Sequence, residues 1–186
     1  MKAAALVLSV LTLNVAGPRR VHQGWQSRRA ALIESLRSER PDAAAFQEAW
    51  RGEDVDALAG AAGHPHRAHD PSLGLAVTSL RRVVDRSSLD LGGGFGVLRA
   101  GLDLDGTTAD VYSARLEPGS GPAAALRLGR LLAIAEFVRA ESRSRPFVLL
   151  GDLAVSADDK ESALFLDLVG ARDLCVSHGD EMCGRT

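Results

Sequence analysis

Pro41-Asp42-Ala43-Ala44-Ala45-Phe46-Gln47-Glu48 is the stretch on which the reading of this chain turns. A proline removes the amide needed to carry a helix onward, and after Asp42 an unbroken apolar run follows that two polar residues close. Residues 42–46 show no polar alternation and are too few for a helix, so they are expected to form a short strand buried on both faces. Backwards from Pro41, residues 27–40 set Ala30, Ala31, Ile33 and Leu36 among arginines and glutamates, the pattern of an amphipathic helix that the proline stops. Before that helix, Leu11-Thr12-Leu13-Asn14-Val15 ends an apolar run bounded by Gly17-Pro18, which predicts another buried strand.

Forwards from Glu48, residues 53–62 read as a second helix, with Glu53 and Asp54 in its first turn and Gly63-His64-Pro65 breaking it. His64, His66 and His69 follow at a spacing that suits a polar loop better than a metal cluster. Residues 75–79, 83–91, 95–104 and 108–115 are short apolar runs separated by glycine or charge, and are expected to be antiparallel strands. Gly92-Gly93-Gly94-Phe95-Gly96 lacks both the lysine of a phosphate-binding loop and a following helix, so it reads as a hairpin turn. After a Gly/Pro/Ser loop, residues 123–142 repeat Leu128, Leu131, Leu132, Ala135 and Val138 at helical spacing. Phe147-Val148-Leu149-Leu150 is a further buried strand that ends at Gly151-Asp152, and Ser156 is expected to cap a helix running through Val169.

The chain has 186 residues, 46% apolar and 25% charged, enough for one sizeable core, and it is read as a single domain over residues 1–186. With five Phe, two Trp and one Tyr it offers few platforms for stacking bases, and a net charge of −2 gives no global attraction for a polyanion. There is thus no strong nucleic-acid signature. Arg19, Arg20, Arg28 and Arg29 could make a local basic patch, but read better as a solvated helix face. Met1-Lys2 and the apolar residues after them superficially resemble a signal peptide, yet the run is too short to span a membrane and passes without a break into the first strand. The chain is therefore read as cytoplasmic, with secretion the alternative if residues 1–11 act as a signal. Cys175 and Cys183 leave a disulfide loop and a reduced pair both open, and a zinc site with His178 and Asp180 would lack paired Cys-x-x-Cys spacing. Nothing in the sequence sets the oligomeric state.

Three strand ends carry polar residues where an apolar strand would otherwise stop: Asn14, Gln47-Glu48 and Asp152. Strand ends converge at a sheet edge, where carboxylates can bind a hard cation and face a substrate. Singly each has a plainer use: Asn14 in the Gly17-Pro18 turn, Glu48 in an ion pair with an arginine of the first helix, Asp152 as a loop hydrogen-bonder.

Together and in order, the Leu11–Val15 segment, Arg29 with its helix, Pro41-Asp42 to Gln47-Glu48, Gly74-Leu75-Ala76-Val77-Thr78-Ser79, the long helix and Pro146 to Gly151-Asp152-Leu153 resemble the endonuclease/exonuclease/phosphatase superfamily. That superfamily includes deoxyribonuclease I-like nucleases, neutral sphingomyelinases and inositol phosphatases. The resemblance implies an α/β (α+β) fold, a four-layer sandwich of two mainly antiparallel sheets flanked by helices. It implies one Mg²⁺, with Mn²⁺ as the alternative, held principally by Glu48. Asn14 would help hold the metal's water or the phosphate, and Asp152 would orient or deprotonate the attacking water. An oxygen-ligated divalent ion polarises a phosphoryl group, and a fixed carboxylate activates water. The implied substrate is a phosphate ester whose class the sequence does not select.

The resemblance is incomplete. Two residues after the aspartate, where the family pattern has an asparagine that contacts the phosphate, this chain has Ala154. Arg115, in Ser113-Ala114-Arg115-Leu116, stands where the pattern has a histidine; it can bind phosphate but cannot exchange a proton near neutral pH. The pattern's closing Asp-His pair has no counterpart, and His178 reads as a surface histidine. The chain is therefore expected to be C-terminally incomplete, lacking the last strands: a fragment, a truncated relative or a partner-dependent subunit. Activity is expected to be weak or lost, the alternative being a noncatalytic member that keeps the scaffold for binding.

Overall fold

The computed structural model describes residues 8–18 and 23–174. Along the chain run β1 (Val10–Asn14), α1 (Gln23–Glu39), β2 (Ala43–Gln47), α2 (Gly52–Ala62), β3 (His66–Asp70), β4 (Leu75–Ser79), β5 (Val83–Asp90), β6 (Gly96–Leu104), β7 (Thr107–Arg115), α3 (Pro122–Ser142), β8 (Phe147–Asp152) and α4 (Lys160–Val169). Residue contacts group these into two compact units, Met1–Arg115 with Ser144–Asp152 and Leu116–Arg143 with Leu153–Thr186.

The first unit holds two four-stranded sheets, ordered β1-β2-β4-β3 and β5-β6-β7-β8. The expected α/β class with two mainly antiparallel sheets holds, and each sheet contains one parallel pair, β1 with β2 and β7 with β8. Every residue of β2 is buried, which is why its sequence does not alternate. Ala44 and Phe46 join Trp25 and Leu36 of α1 and Val55 and Leu58 of α2 in one apolar cluster. Ala43 faces a second cluster between the sheets, with Leu75 and Val77 of β4 and Leu98, Ala100 and Leu102 of β6. A one-residue slip of β2 would swap Phe46 between these clusters, so its register is strongly specified.

The parallel pairs position the site. In a parallel pair both strands end at the same edge. Register sets Asn14 beside Gln47 and Arg115 beside Asp152, so four strand ends present their last side chains at two neighbouring edges. Gln47 stitches the sheets together there: its amide donates to the Ser113 hydroxyl at 3.0 Å, and that hydroxyl donates to the Phe46 carbonyl at 3.1 Å.

Several expectations fail. β1 and β8, expected to be buried strands, are only partly buried, and Thr12 of β1 is exposed. Residues 66–70 form edge strand β3 instead of a polar loop; only Ala68 is buried, because an edge strand with one inward residue tolerates polar neighbours that periodicity cannot recognise. Ser156 does not cap α4, which starts four residues later with Asp159 at its N-cap; the Asp159 carboxylate instead accepts the Ser156 amide at 2.8 Å. In the second unit Arg127 of α3 is buried, ion-paired with Glu161 of α4 at 3.1 Å and bonded to the Glu117 and Gly119 carbonyls. Among the described residues no helix is long and apolar enough to cross a membrane. Arg19, Arg20, Cys175, His178, Asp180 and Cys183 lie outside the described residues.

His64 and His69 are structural clasps. His64 is buried between the Thr78 hydroxyl and the Pro41 carbonyl, each at 2.7 Å, and His69 donates to the Ala49 carbonyl at 2.8 Å. Burial holds both imidazoles below their ordinary value of 6.5. A histidine that resists protonation only when folded means the unfolded chain takes up more protons, so stability is full above that value and is lost as pH falls through it. The melting temperature is therefore expected to drop between about pH 7.5 and about pH 5. His64→Gln should flatten that drop while lowering the plateau, as read by thermal melts across pH.

Candidate functional site

Asn14 closes β1, and its amide is fixed in orientation. Its Oδ1 accepts the Ala16 backbone N–H at 3.0 Å, which turns Nδ2 towards two carboxylates: Glu48 Oε1 at 3.0 Å and Asp152 Oδ2 at 2.9 Å. A flipped amide would face both carboxylates with its oxygen, so this assignment is the satisfied one. Asn14 thus offers the cluster a donor and keeps its oxygen for the backbone.

Glu48 follows β2 directly, with φ of +56°, a left-handed conformation that costs a non-glycine residue about 1–2 kcal/mol. Hydrogen bonds on either side hold it there: the Gly17 amide donates to the Glu48 carbonyl at 3.1 Å, and the Ala49 amide donates to the Gly74 carbonyl at 2.8 Å. Gly74 cannot carry a side chain, because a Cβ there would lie 2.7 Å from the Trp50 indole. The Trp50 indole therefore packs close against the Gly74 backbone.

Arg115 closes β7. One of its nitrogens, Nη2, meets Glu48 Oε1 at 3.1 Å, and Nη1 donates to the Gly94 carbonyl at 3.3 Å in the β5–β6 hairpin turn. Its guanidinium also lies 4.9 Å from the Phe95 ring centroid and 5.9 Å from that of Trp50, a cation–π clamp on two rings. The side chains of Arg115 and Glu48 are 17% and 26% exposed, partly withdrawn from water yet reachable. Asp152 closes β8. The glycine before it is required by close approach, since a Cβ on Gly151 would lie 2.2 Å from the Ala114 carbonyl oxygen on β7. The Gly-Asp turn therefore lets β8 press against β7 just where Asp152 must reach Asn14.

All four residues named from the sequence, Asn14, Glu48, Arg115 and Asp152, meet in this one cluster. Glu48 pairs with Arg115 and not with an arginine of α1; Arg29 pairs instead with Asp54 at 2.9 Å. Trp50, Gly94 and Phe95 were not singled out for the site, and no spacing signal could have found them, since they reach Arg115 only through sheet pairing. Ala154 has φ of +54°, the backbone conformation that asparagine adopts more readily than alanine.

Among the described residues no group of three or more His, Cys, Asp or Glu side chains is arranged to hold a metal. The donors that are present fit a hard divalent cation in kind, for Mg²⁺ takes one or two carboxylates and keeps several waters. Glu48 and Asp152 are two such carboxylates converging on a single amide.

A model of the Endonuclease/Exonuclease/phosphatase family matches residues 11–176. No curated protein matches this chain in sequence. Solved structures share its fold at low identity. Three illustrate the range: TDP2 from D. rerio complexed with a single-strand DNA product is 18% identical, with a TM-score of 0.73 over 96% of this chain and 73% of that one. A beta toxin mutant from Staphylococcus aureus with bound magnesium ions is 17% identical, with a TM-score of 0.71 over 89% of this chain and 71% of its own. Sphingomyelinase C from Streptomyces griseocarneus is 18% identical, with a TM-score of 0.68 over 87% and 69%.

Proposed function

The chain belongs to the endonuclease/exonuclease/phosphatase family, and from that premise we propose that it is a hydrolase-type phosphoester domain that binds a phosphate ester at the Asn14–Glu48–Arg115–Asp152 cluster and turns it over weakly or not at all. The observation that carries this reading is the Arg115–Glu48 ion pair, 3.1 Å long, at the meeting point of the strand ends. It sets an anion-binding guanidinium beside the carboxylate best placed for a metal.

Glu48 is the principal ligand for Mg²⁺, or Mn²⁺ in its place, with Asp152 close by. The structural neighbour with bound magnesium supports this choice of ion. When bound, a divalent cation supplies polarisation of the phosphoryl group. The rest falls to the chain's own groups. Arg115 holds phosphoryl oxygens in its planar fork, Asn14 donates from Nδ2 to a phosphoryl oxygen or a water, and the Asp152 carboxylate orients or deprotonates the attacking water. Two steps lack an agent: a guanidinium does not give up its proton near neutral pH, and Ala154 has no donor for developing phosphoryl charge. Each deficit is worth on the order of 100-fold or more, which is why turnover is expected to be weak or lost. The neighbours' names point to both sphingomyelin and DNA, and the class of ester is left open. The chain is taken to act in the cytoplasm, secretion being the alternative.

The test is Mg²⁺-dependent turnover of a bis-phosphoester reporter by the chain and by Glu48→Ala. Slow turnover abolished by Glu48→Ala, or none in either, is the expected result. Turnover indifferent to Glu48→Ala would place the chemistry elsewhere, and rapid Glu48-dependent turnover would show that the missing groups have been replaced.

A further inference from the structure

We infer that Arg115 is a tethered counter-cation for Glu48, occupying electrostatically the place of a divalent metal, so that a metal ion must work against it to enter. This rests on the reading of the strand-end cluster as a phosphoester site, and adds to it a mechanism that sets the metal affinity.

Glu48 Oε1 already has two partners: it accepts a hydrogen bond from Asn14 Nδ2 at 3.0 Å and is ion-paired with Arg115 Nη2 at 3.1 Å. Arg115 is not a loose surface side chain that drifts aside: the Phe95 and Trp50 rings and the Gly94 carbonyl hold its guanidinium in position. Its ordering is complete before any ligand arrives, so the pair forms with little further entropic cost. Charge runs the same way. Glu48 and Asp152 carry two negative charges and Arg115 cancels one, so a divalent ion added to this trio leaves it net positive, whereas the same ion on the two carboxylates alone is neutralised. Like charges a few ångströms apart in a partly buried site repel strongly. A phosphate ester would relieve this conflict, because its oxygens give Arg115 an alternative bidentate partner and loosen its hold on Glu48. Metal and ester binding should therefore strengthen one another, each by the same factor.

The experiment is Mn²⁺ binding, followed by the electron paramagnetic resonance signal of the free ion, with Mg²⁺ as competitor. Four proteins are compared: the unmodified chain, Arg115→Gln, Arg115→Lys, and Arg115→Gln combined with Glu48→Gln. Arg115→Gln should tighten Mn²⁺ by roughly 10- to 100-fold, Arg115→Lys should leave it weak because the charge remains, and the double change should lose the gain. Equal affinity in Arg115→Gln and the unmodified chain overturns the inference, as does a gain that persists without Glu48. Far-ultraviolet circular dichroism checks folding. Should Arg115→Gln fail to fold, Phe95→Ala, which loosens the clamp while leaving the charge, carries the test: Mn²⁺ should bind several-fold tighter, and no change would count against the tether. These outcomes are separate from the turnover assay, since Glu48-dependent turnover with an Arg115-independent metal affinity sinks the tether alone.

Discussion

Replacing Asp110 with alanine is expected to lower the stability of the chain by about 3–5 kcal/mol, the typical cost of removing one member of a buried ionic network. Asp110 lies on β7 with none of its side chain exposed. One carboxylate oxygen accepts Arg99 Nε at 2.9 Å and the other meets Arg145 Nε at 3.2 Å. Arg99 is itself only 3% exposed and also bonds both oxygens of Asp85, at 2.9 and 3.0 Å. Burial alone would make that guanidinium easier to deprotonate, but the two carboxylates outweigh it and hold the charge more firmly than usual. Without Asp110 the buried guanidinium loses its fully buried counter-charge and must lean on the half-exposed Asp85. Asp105→Ala, which removes an exposed partner of Arg81, should by contrast cost less than about 1 kcal/mol. Urea unfolding of both variants decides the matter, and similar midpoints would show that the network contributes no more than a surface pair. The location matters as much as the size. The Asp110 amide donates to the Pro146 carbonyl at 2.9 Å, and Asp110 stands in register with Phe147. The network therefore pins the start of β8 to β7 at the end opposite Arg115 and Asp152, so its loss should loosen the pairing that aligns those two residues.

The parts of this molecule that were legible from sequence are those in which one strand or helix announces itself. Residues 75–79 coincide with β4, and the helix expected over residues 123–142 lies within one residue of α3. Asn14, Glu48 and Asp152 stand out because polar residues end apolar runs whose order resembles a family, and Arg115 stands out only through its place in that family pattern. What stayed hidden is what depends on pairing between distant segments. β3 has too few inward residues to show a period, and Asp110 with Arg99 looks, in sequence, like ordinary charge on strands instead of a closed ionic core. The same holds for Arg115. Its family position suggested phosphate binding, while its grip by Trp50, Phe95 and the Gly94 carbonyl arises only when the hairpin turn after β5 and the segment after β2 are folded beside the end of β7. Even Gln47, quoted as half of a polar pair, belongs to the scaffold through its bond to Ser113.

Changing Arg115 to histidine together with Ala154 to asparagine is expected to raise Mg²⁺-dependent turnover of a bis-phosphoester by roughly 100-fold or more over the unmodified chain. Each substitution supplies a different missing agent. Arg115→His introduces a group that can exchange a proton near neutral pH and at the same time removes the tethered charge from Glu48. Ala154→Asn introduces a side-chain donor, and at φ of +54° asparagine carries less backbone strain than the alanine it replaces, so the change should not lower stability. The two contributions are distinguishable by their pH dependence. Arg115→His should add a limb to the rate profile near the ordinary histidine range, about 6.5, whereas Ala154→Asn alone should raise kcat without one. Because residues acting on one phosphoryl group are not additive, each single change should give well under half of the logarithmic gain. A double variant that binds Mn²⁺ as tightly as Arg115→Gln but turns over no faster than the unmodified chain would show that metal affinity and catalysis are separate losses, and would move the catalytic deficit to groups other than these two.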